Sequence, residues 1–283
     1  MRLKDLLKDK IPDKLLSKVP GSFEIVGSRE KAVAIVEIGD ELDIYKHEIG
    51  KAIAQINKNV KIVLRKTSER IGEFRIRKYE RIYGEGDTEV IHKEYGYLIK
   101  VDPTKAYFSS RESAERQRIA SMVKPGERIL VMFSGVAPFA IAIAKKQPFV
   151  REIVCVEKNP DAHRYAIENV RLNKLEDKVK CINGDVNEIC PKFGEKYFDR
   201  ILMPLPKGAY EFLDIAIPSI KKHGILHFYY WGEEPIEKTI ERGFELIKNA
   251  ANKISRKANL ISGKKVLPYA PRVWKVVIDA EIV

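Results

Sequence analysis

Short, unbroken apolar runs alternate with stretches of helical periodicity from residue 128 onward. Ile129 to Phe133 and Ile153 to Val156 are apolar runs of the length expected for strands buried on both faces. The stretch between them, Phe139 to Ala144, suits a helix. The pattern therefore predicts a strand, a helix and a second strand that belong to one parallel sheet.

The same alternation continues toward the end of the chain. It predicts further helices at 112–123, 161–173, 209–220 and 236–250 and further strands at 179–182, 198–203, 225–231 and 273–282. Alternating strands and helices are typical of an open α/β sheet with helices on both faces. We therefore predict an α/β domain over residues 106–283.

The first hundred residues show a mixed pattern. They contain predicted strands at 23–26, 32–38, 60–65, 88–92 and 97–101 and predicted helices at 3–19, interrupted by Pro12, and at 43–55. This arrangement predicts a smaller α+β domain, which we assign to residues 1–105.

A glycine turn and an acidic residue follow the first two predicted strands of the α/β domain. Gly135 lets the backbone turn tightly ahead of a helix, and Glu157 can accept hydrogen bonds from ribose hydroxyls. The turn has a single glycine, so it does not satisfy the dinucleotide fingerprint and suits S-adenosylmethionine better than NAD. The alternative is an ordinary α/β turn with a surface glutamate.

Two more polar or turn positions follow predicted strands, Asp185 and Pro204. Ligands of open α/β sheets bind outside the carboxyl ends of the strands, so these positions, with Gly135 and Glu157, predict one ligand site. Asp185 is placed to accept a hydrogen bond from an adenine amino group. A turn-forming Gly-Asp pair explains it equally well.

The charge balance favours a polyanionic partner. The chain has 52 Lys and Arg residues against 40 Asp and Glu, a net charge of +12, which favours nucleic acid over a lysine-rich surface of a heat-adapted protein. The basic residues are dense from 65 to 79, where Arg75 and Arg77 share one face of a strand. With Phe74 and Tyr79 they could contact phosphates and stack on bases, although a solvated strand face is the alternative.

Other classes of protein fit the sequence poorly. No apolar run approaches the ~20 residues of a membrane span, and the charged N-terminus lacks the apolar region of a signal peptide. The three cysteines have no metal-ligand spacing, and we expect neither a zinc site nor a disulfide. The sequence predicts a cytoplasmic protein, expected to be a monomer without a membrane partner.

Motifs spread along nearly the whole chain carry a family resemblance. They are Gly72-Glu73-Phe74-Arg75, Ile91-His92-Lys93-Glu94 with Gly96-Tyr97, Tyr107-Phe108-Ser109 with Glu115-Arg116, Met132-Phe133-Ser134-Gly135-Val136 with Pro138-Phe139, Leu172-Asn173-Lys174-Leu175-Glu176, Leu205-Pro206-Lys207 with Ala209, and Tyr269-Ala270-Pro271-Arg272. In these motifs the chain resembles the archaeal tRNA guanosine-37 N1-methyltransferases. It is more distantly similar to the wyosine-pathway aminocarboxypropyl transferase.

The resemblance implies a fold and a reaction. The expected fold is a class I S-adenosylmethionine-dependent methyltransferase domain, Rossmann-like, preceded by a smaller α+β domain that binds tRNA. The expected reaction transfers a methyl group from S-adenosylmethionine to N1 of guanosine 37, beside the anticodon. Many family members carry a further N-terminal domain that contacts the tRNA elbow, and we expect this chain to lack it.

The resemblance also implies roles for individual residues. Glu115 is the expected general base, and Arg75 the group that stabilises negative charge on O6. Without the family, Glu115 reads as a solvated helix carboxylate paired with Arg111 or Arg118. The expected cofactor residues are Tyr107, Ser109, Arg116, Phe133, Gly135, Glu157, Lys158, Asp185, Val186, Pro204 and Leu205. The expected RNA-binding residues are Arg65, Lys66, Arg75, Arg77, Arg111 and Lys207, and no metal is expected.

Two positions depart from the family pattern. Pro204 stands where the methyltransferases usually have the Asn of Asn-Leu-Pro, and Val131 stands where they usually have an acid. Proline offers neither a side-chain hydrogen bond nor an amide donor. The departures keep three alternatives open: methylation of a tricyclic wyosine precursor, aminocarboxypropyl transfer, and a non-catalytic tRNA-binding protein.

Overall fold

The computed structural model describes residues 2–69, 72, 74 and 76–283. The chain divides into two compact units, Met1–Arg111 and Glu112–Val283. Within the described ranges, no helix combines the length and the apolar character needed to cross a lipid bilayer.

The N-terminal unit is built on a four-stranded sheet of order β1-β2-β3-β4. Its elements are α1 (Leu3–Leu7), α2 (Asp13–Leu16), β1 (Glu24–Gly27), β2 (Ala32–Val36), a 3₁₀ turn (Asp40–Tyr45), α3 (Lys46–Ile56), β3 (Val60–Lys66), β4 (Tyr79–Tyr83), β5 (Val90–Glu94) and β6 (Tyr97–Val101). Strands β2 and β3 are parallel, and the other neighbours are antiparallel. Strands β5 and β6 form a separate hairpin. Every residue of β2 is buried, as its unbroken apolar sequence predicts.

The C-terminal unit alternates helices and strands. Its elements are α4 (Ser113–Met122), β7 (Arg128–Met132), α5 (Pro138–Lys146), β8 (Glu152–Glu157), α6 (Pro160–Leu172), β9 (Val179–Asn183), α7 (Val186–Ile189), β10 (Phe198–Met203), α8 (Leu213–Ser219), β11 (Ile220–Glu233), α9 (Ile236–Asn252), β12 (Ala258–Ala270) and β13 (Val273–Ile282). Further 3₁₀ turns lie at Ser110–Glu112, Cys190–Phe193 and Ala209–Phe212.

The sheet of the C-terminal unit has the order β12-β13-β11-β10-β7-β8-β9. Strands β11, β10, β7, β8 and β9 run parallel, whereas β13 is antiparallel to both β11 and β12. The strand order reverses between β7 and β10, which makes the carboxyl ends of these strands the expected ligand site of such a sheet. This architecture confirms the predicted Rossmann-like fold.

Strand β12 was not expected. It lies at the edge of the sheet and most of its residues are half-buried or exposed, so its sequence shows no apolar run. Lys264, Lys265 and Pro268 within it are residues that edge strands tolerate and central strands do not. The apolar runs of the central strands were therefore recognisable, whereas this edge strand was not.

Candidate active site

The turn between β7 and α5 has an uncommon backbone. Phe133, Gly135 and Ala137 all have positive φ, at 53°, 56° and 64°. Positive φ is costly for residues other than glycine, and it concentrates at sites where the backbone approaches a ligand. Pro138 is then the first residue of α5, a position at which the backbone amide has no hydrogen-bond partner within the helix, so proline is tolerated there. The turn is thus wound tightly against the start of a helix.

Glu157, at the end of β8, fastens this turn. Its Oε2 accepts the Gly135 amide hydrogen at 2.7 Å, and its Oε1 accepts that of Asn159 at 2.8 Å. Burial raises the pKa of the Glu157 carboxyl, and these backbone donors oppose that rise. Each carboxylate oxygen can accept a second hydrogen bond, so the group can also accept from a diol.

Both carboxylate oxygens of Asp185, at the end of β9, accept hydrogen bonds from neighbouring residues. Its Oδ1 caps α7 by accepting the Asn187 amide hydrogen at 2.8 Å, and its Oδ2 pairs with Lys158 Nζ at 2.8 Å. The ammonium of Lys158 is the main reason why the pKa of Asp185 is lowered. Val186, which follows, is buried in the core. The capping bond matches the turn-forming alternative for Asp185, while the carboxylate still lies at the predicted edge.

Leu205, after β10, packs on the same apolar cluster as the turn. The ring of Phe133 meets that of Phe212 edge-on at a centroid distance of 4.9 Å, and Leu205 joins this cluster while Pro204 beside it is half-buried. Since β10, β7, β8 and β9 are neighbours about 4.8 Å apart, their carboxyl ends lie within about 15 Å. The fold therefore brings together the predicted cofactor residues of the C-terminal unit that follow these strands.

The chemistry of this edge fits S-adenosylmethionine better than a dinucleotide. Glu157 offers oxygens to a ribose diol, and Asp185 adds a second carboxylate at the next strand end. The turn has one glycine, so it lacks the glycine-rich fingerprint that lets a backbone approach a pyrophosphate. S-adenosylmethionine carries the ribose without any phosphate.

Glu115, on α4, is buried and firmly held. Its side chain is 9% exposed. Arg118 donates from Nε to Oε2 at 2.7 Å and from Nη2 to Oε1 at 2.8 Å, and the Tyr229 hydroxyl donates to Oε1 at 2.6 Å. Burial, together with the neighbouring Glu115 carboxylate, raises the pKa of Tyr229, so this hydroxyl stays protonated as a donor. The pairing with Arg118 that the sequence suggested is present, but the carboxylate is buried rather than solvated.

Tyr229 also connects Glu115 to the turn between β7 and α5, residues 133–137, which we call the cofactor turn. The ring of Tyr229 lies 5.9 Å from that of Phe139, in the first turn of α5. Helix α4 packs against α5. Glu115 is therefore one tyrosine side chain away from the helix that begins at the turn.

Three predicted pocket residues belong to the N-terminal unit or are deeply buried. Arg116, next to Glu115, is 1% exposed. Tyr107 and Ser109 belong to the N-terminal unit, where Tyr107 is exposed and Ser109 Oγ donates to Glu24 Oε1 at 2.6 Å. The second predicted catalytic residue, Arg75, lies outside the described residues.

The predicted RNA-binding cations differ in accessibility. Arg65 is 8% exposed, forms an ion pair with Asp43, and lies 3.5 Å from Asp40 and 3.6 Å from Glu80. Its guanidinium thus lies among three carboxylates of its own unit. Two other predicted RNA-binding cations form ion pairs, Lys66 with Glu37 at 3.4 Å and Arg77 with Glu69 at 3.6 Å. Arg111 and Lys207 are exposed.

Sequence reasoning missed the polar groups behind Glu115. His227 and Asp279 interrupt the apolar runs of β11 and β13, and both are fully buried. A charged residue inside a central strand is rarely tolerated without a partner, so these interruptions were a usable signal. Asp279 accepts from His227 Nδ1 at 2.6 Å and from Arg118 Nη1 at 2.7 Å.

The buried histidine makes the stability of the C-terminal unit depend on pH. Burial lowers the pKa of His227, although Asp279 opposes this. The unfolded chain takes up a proton near pH 6.5 that the folded chain refuses, so stability falls as pH falls, by up to about 1.4 kcal/mol per pH unit. Denaturant unfolding followed by tryptophan fluorescence measures this, because Trp231 and Trp274 both lie in this unit. Unfolding free energy should drop between pH 7 and pH 5.

His227→Asn is the matched control for this prediction. Asparagine retains a donor toward Asp279 but does not titrate. We expect a lower stability at pH 7 and a shallower decline toward pH 5. An equally steep decline in the variant would show that another group is responsible.

Family models match nearly all of the chain. The model of the TRM5/TYW2 methyltransferase domain matches residues 90–260, and that of the TYW2 N-terminal domain matches residues 3–88. The protein named tRNA (guanine(37)-N(1))-methyltransferase Trm5b, from Pyrococcus abyssi, is 41% identical over 96% of this chain and 78% of that protein.

Solved structures agree with the family models. The complex of aTrm5 with tRNALeu has a TM-score of 0.85 at 32% identity, covering 100% of this chain and 78% of that one. TYW2 of P. horikoshii, solved in complex with MeSAdo, has a TM-score of 0.81 at 30% identity, covering 99% of this chain and 97% of that one. These matches confirm the resemblance found in the sequence: the chain belongs to the TRM5/TYW2 family of methyltransferases.

Proposed function

We propose that this protein transfers a methyl group from S-adenosylmethionine to N1 of guanosine 37 in tRNA. The observation that carries the proposal is the buried Glu115 carboxylate, held by Arg118 and Tyr229 beside the helix that follows the cofactor turn. The similarity to Trm5b of P. abyssi and to the aTrm5 complex with tRNALeu supports the choice of substrate.

The residues at the strand ends would hold the cofactor. Glu157 would accept hydrogen bonds from the ribose hydroxyls, and the backbone at Phe133 and Gly135 would approach the cofactor closely. Asp185 and Val186 would contact the adenine. Lys158, Pro204 and Leu205 complete the proposed lining. When bound, S-adenosylmethionine supplies a methyl group already activated by its sulfonium.

Glu115 would take the proton from guanine N1. That nitrogen is protonated at neutral pH and becomes nucleophilic only when the proton leaves. Glu115 Oε1 already accepts two hydrogen bonds, whereas Oε2 accepts one from Arg118, so Oε2 keeps the free lone pair for the proton. A positioned base of this kind contributes about 10²–10⁴-fold to a rate.

Basic side chains would hold the nucleic acid. Arg75 would stabilise negative charge on the guanine O6, and the exposed Tyr107 would contact the splayed base. Because Ser109 and Arg116 are buried, we assign them to the structure of the protein instead. Lys66, Arg77, Arg111 and Lys207 would contact phosphates, in keeping with the net charge of +12. Because Arg65 is buried against three carboxylates, we assign it to the structure of the N-terminal unit instead.

A methyl-transfer assay tests the proposal directly. Labelled S-adenosylmethionine is incubated with unmodified tRNA transcripts that carry G37 or A37, and the nucleosides are identified by mass spectrometry. We expect 1-methylguanosine with G37 and no methylated product with A37. Cofactor binding without product from either transcript would contradict the proposal.

A second function in the same pathway is favoured by two observations. Pro204 replaces the asparagine usual in the methyltransferases, and residues 3–88 match the TYW2 N-terminal model. The substrate would then be the tricyclic base of wyosine at position 37, which would receive either a methyl or an aminocarboxypropyl group from the same cofactor. Mass spectrometry after incubation with tRNA bearing the tricyclic precursor distinguishes these transfers, and cofactor binding without turnover on any tRNA would indicate a non-catalytic tRNA-binding protein.

A further inference from the structure

A row of buried and half-buried polar groups extends from Glu115 into the sheet. Arg118 uses one side of its guanidinium for Glu115 and the other for Asp279, donating from Nη1 to Oδ2 at 2.7 Å and from Nη2 to Oδ1 at 3.3 Å. Asp279 also accepts from Ser262 Oγ at 2.8 Å and from His227 Nδ1 at 2.6 Å. Asp279 is thus a fully buried carboxylate with four donor contacts.

The state of His227 follows from its other partner. Arg200 Nη1 lies 2.7 Å from His227 Nε2. An arginine can only donate, so Nε2 accepts and Nδ1 carries the proton that His227 donates to Asp279. Arg200 is neutralised in turn by Glu127, with bonds of 2.8 and 3.0 Å. His227 is therefore neutral, and Asp279 is left as the anion that faces Arg118.

The cation between Glu115 and Asp279 has two counter-ions. While Glu115 is ionised, Arg118 is shared by two carboxylates. When Glu115 accepts a proton, Arg118 loses one of them. The guanidinium of Arg118 is half-buried, with its side chain 19% exposed, so the loss of both counter-ions would be unfavourable. Asp279 stays ionised, because bonds from His227 and Arg118 outweigh the effect of burial and hold its pKa well below the usual range.

We propose that Asp279 is a positioning residue of the reaction, which holds Arg118 in place and balances its charge while Glu115 carries the proton. The inference rests on the role of Glu115 as base in the proposed function. Asp279 touches neither the cofactor turn nor Glu115 in the contacts described above, and it acts through Arg118.

Among the charged groups around this row, Asp279 is the one that can balance the charge of Arg118 when Glu115 is protonated. Lys275 lies 4.7 Å from the centre of the Tyr229 ring and pairs with Glu112 at 2.9 Å, so these two cancel. Several other titratable or charged groups belong to the described surroundings of Glu115 and Asp279. They are Glu112 and Arg118 on or beside α4, Glu127 before β7, Arg200 on β10, His227 and Tyr229 on β11, and Lys275 on β13.

Asp279→Asn tests the proposal through the pH dependence of single-turnover methyl transfer. Loss of this negative charge leaves Arg118 without its second counter-ion once Glu115 has accepted the proton. The plateau rate should therefore fall about tenfold or more, and the pH of half-maximal rate on the acid side should move downward. Affinity for S-adenosylmethionine should stay within about twofold, since Glu157 and the turn are untouched. An unchanged plateau and acid midpoint would overturn the proposal.

The control is Asp214→Asn. Asp214 is an exposed residue on α8 that pairs with Lys253 at 2.6 Å, and it lies outside the row. The substitution replaces a carboxylate with an amide, as Asp279→Asn does. We expect the plateau rate, the acid midpoint and the cofactor affinity of this variant to equal those of the wild type.

A pair of variants that both lack Arg118 keeps the test decisive if Asp279→Asn does not fold. If Asp279 acts through Arg118, Arg118→Met should lower the plateau rate about tenfold or more, and adding Asp279→Asn to Arg118→Met should lower it no further. A further fall of about tenfold in the double variant would show that Asp279 acts independently of Arg118 and would contradict the proposal.

Failure of this inference is distinguishable from failure of the proposed function. If Glu115→Gln retains turnover, Glu115 is not the base and the inference falls with that role. If Glu115→Gln is inactive while Asp279→Asn keeps the wild-type plateau and midpoint, the base assignment stands and only the role of Asp279 is wrong.

Discussion

Glu115→Gln should lower the single-turnover rate of methyl transfer by about 10²–10⁴-fold if Glu115 is the base, because an amide cannot accept the guanine N1 proton. The amide oxygen can still accept one of the two Arg118 bonds, and the Tyr229 hydroxyl can reverse its bond to accept from the amide nitrogen. Asp279 continues to neutralise Arg118, so we expect the variant to fold. Rapid-quench measurements with saturating tRNA and cofactor give the rate.

Two further measurements make this result interpretable. Affinity for S-adenosylmethionine, measured by calorimetry without tRNA, should remain near the wild-type value. Glu168→Gln is the matched control, because Glu168 is a helix residue that pairs with Arg164 at 2.9 Å on the surface of α6. A Glu115→Gln rate within about threefold of the control would refute the base assignment.

Glu157→Gln should weaken the binding of S-adenosylmethionine by about 10–100-fold, since a hydrogen bond to a charged acceptor contributes about 1.5–3 kcal/mol. The substitution also replaces one acceptor oxygen with a donor, which opposes the amide hydrogen of Gly135 or Asn159. The turn and the ribose contact are therefore disturbed together. Titration calorimetry with S-adenosylmethionine measures the change.

Glu152→Gln is the control for this second prediction. Glu152 lies at the opposite end of the same strand, β8, and pairs with Lys180 at 2.6 Å. It should bind the cofactor as the wild type does. If both variants lose affinity equally, the loss reflects damage to β8 and the assignment of Glu157 to the ribose is wrong.

The parts of the fold that could be predicted are those in which a local sequence pattern is compatible with a single kind of secondary structure. Strands such as β7 and β8 are apolar and fully buried along their interiors, so they are recognisable from the sequence alone. The turn at Gly135 and the acid at Glu157 follow those strands directly, so their place at the sheet edge could be derived from the chain order.

The surroundings of Glu115 could not be derived in this way. Its partner Tyr229 is 114 positions away in the chain, and the Asp279 that holds Arg118 is 161 positions from it. Arg65 is a comparable case, because its basic neighbours in the sequence suggest a surface, whereas Asp43 and Glu80 come from other elements and enclose it. Contacts of this kind arise only when distant elements pack together.

Ser262 places one member of the buried row on β12, the edge strand of the sheet. Edge elements open by local fraying at a lower free energy than the strands between them. Detachment of β12 would give water access to Asp279 and Arg118 while the central strands stay folded. If Asp279 positions Arg118 as proposed, fraying of this outermost strand would lower the rate of methyl transfer before the unit as a whole unfolds.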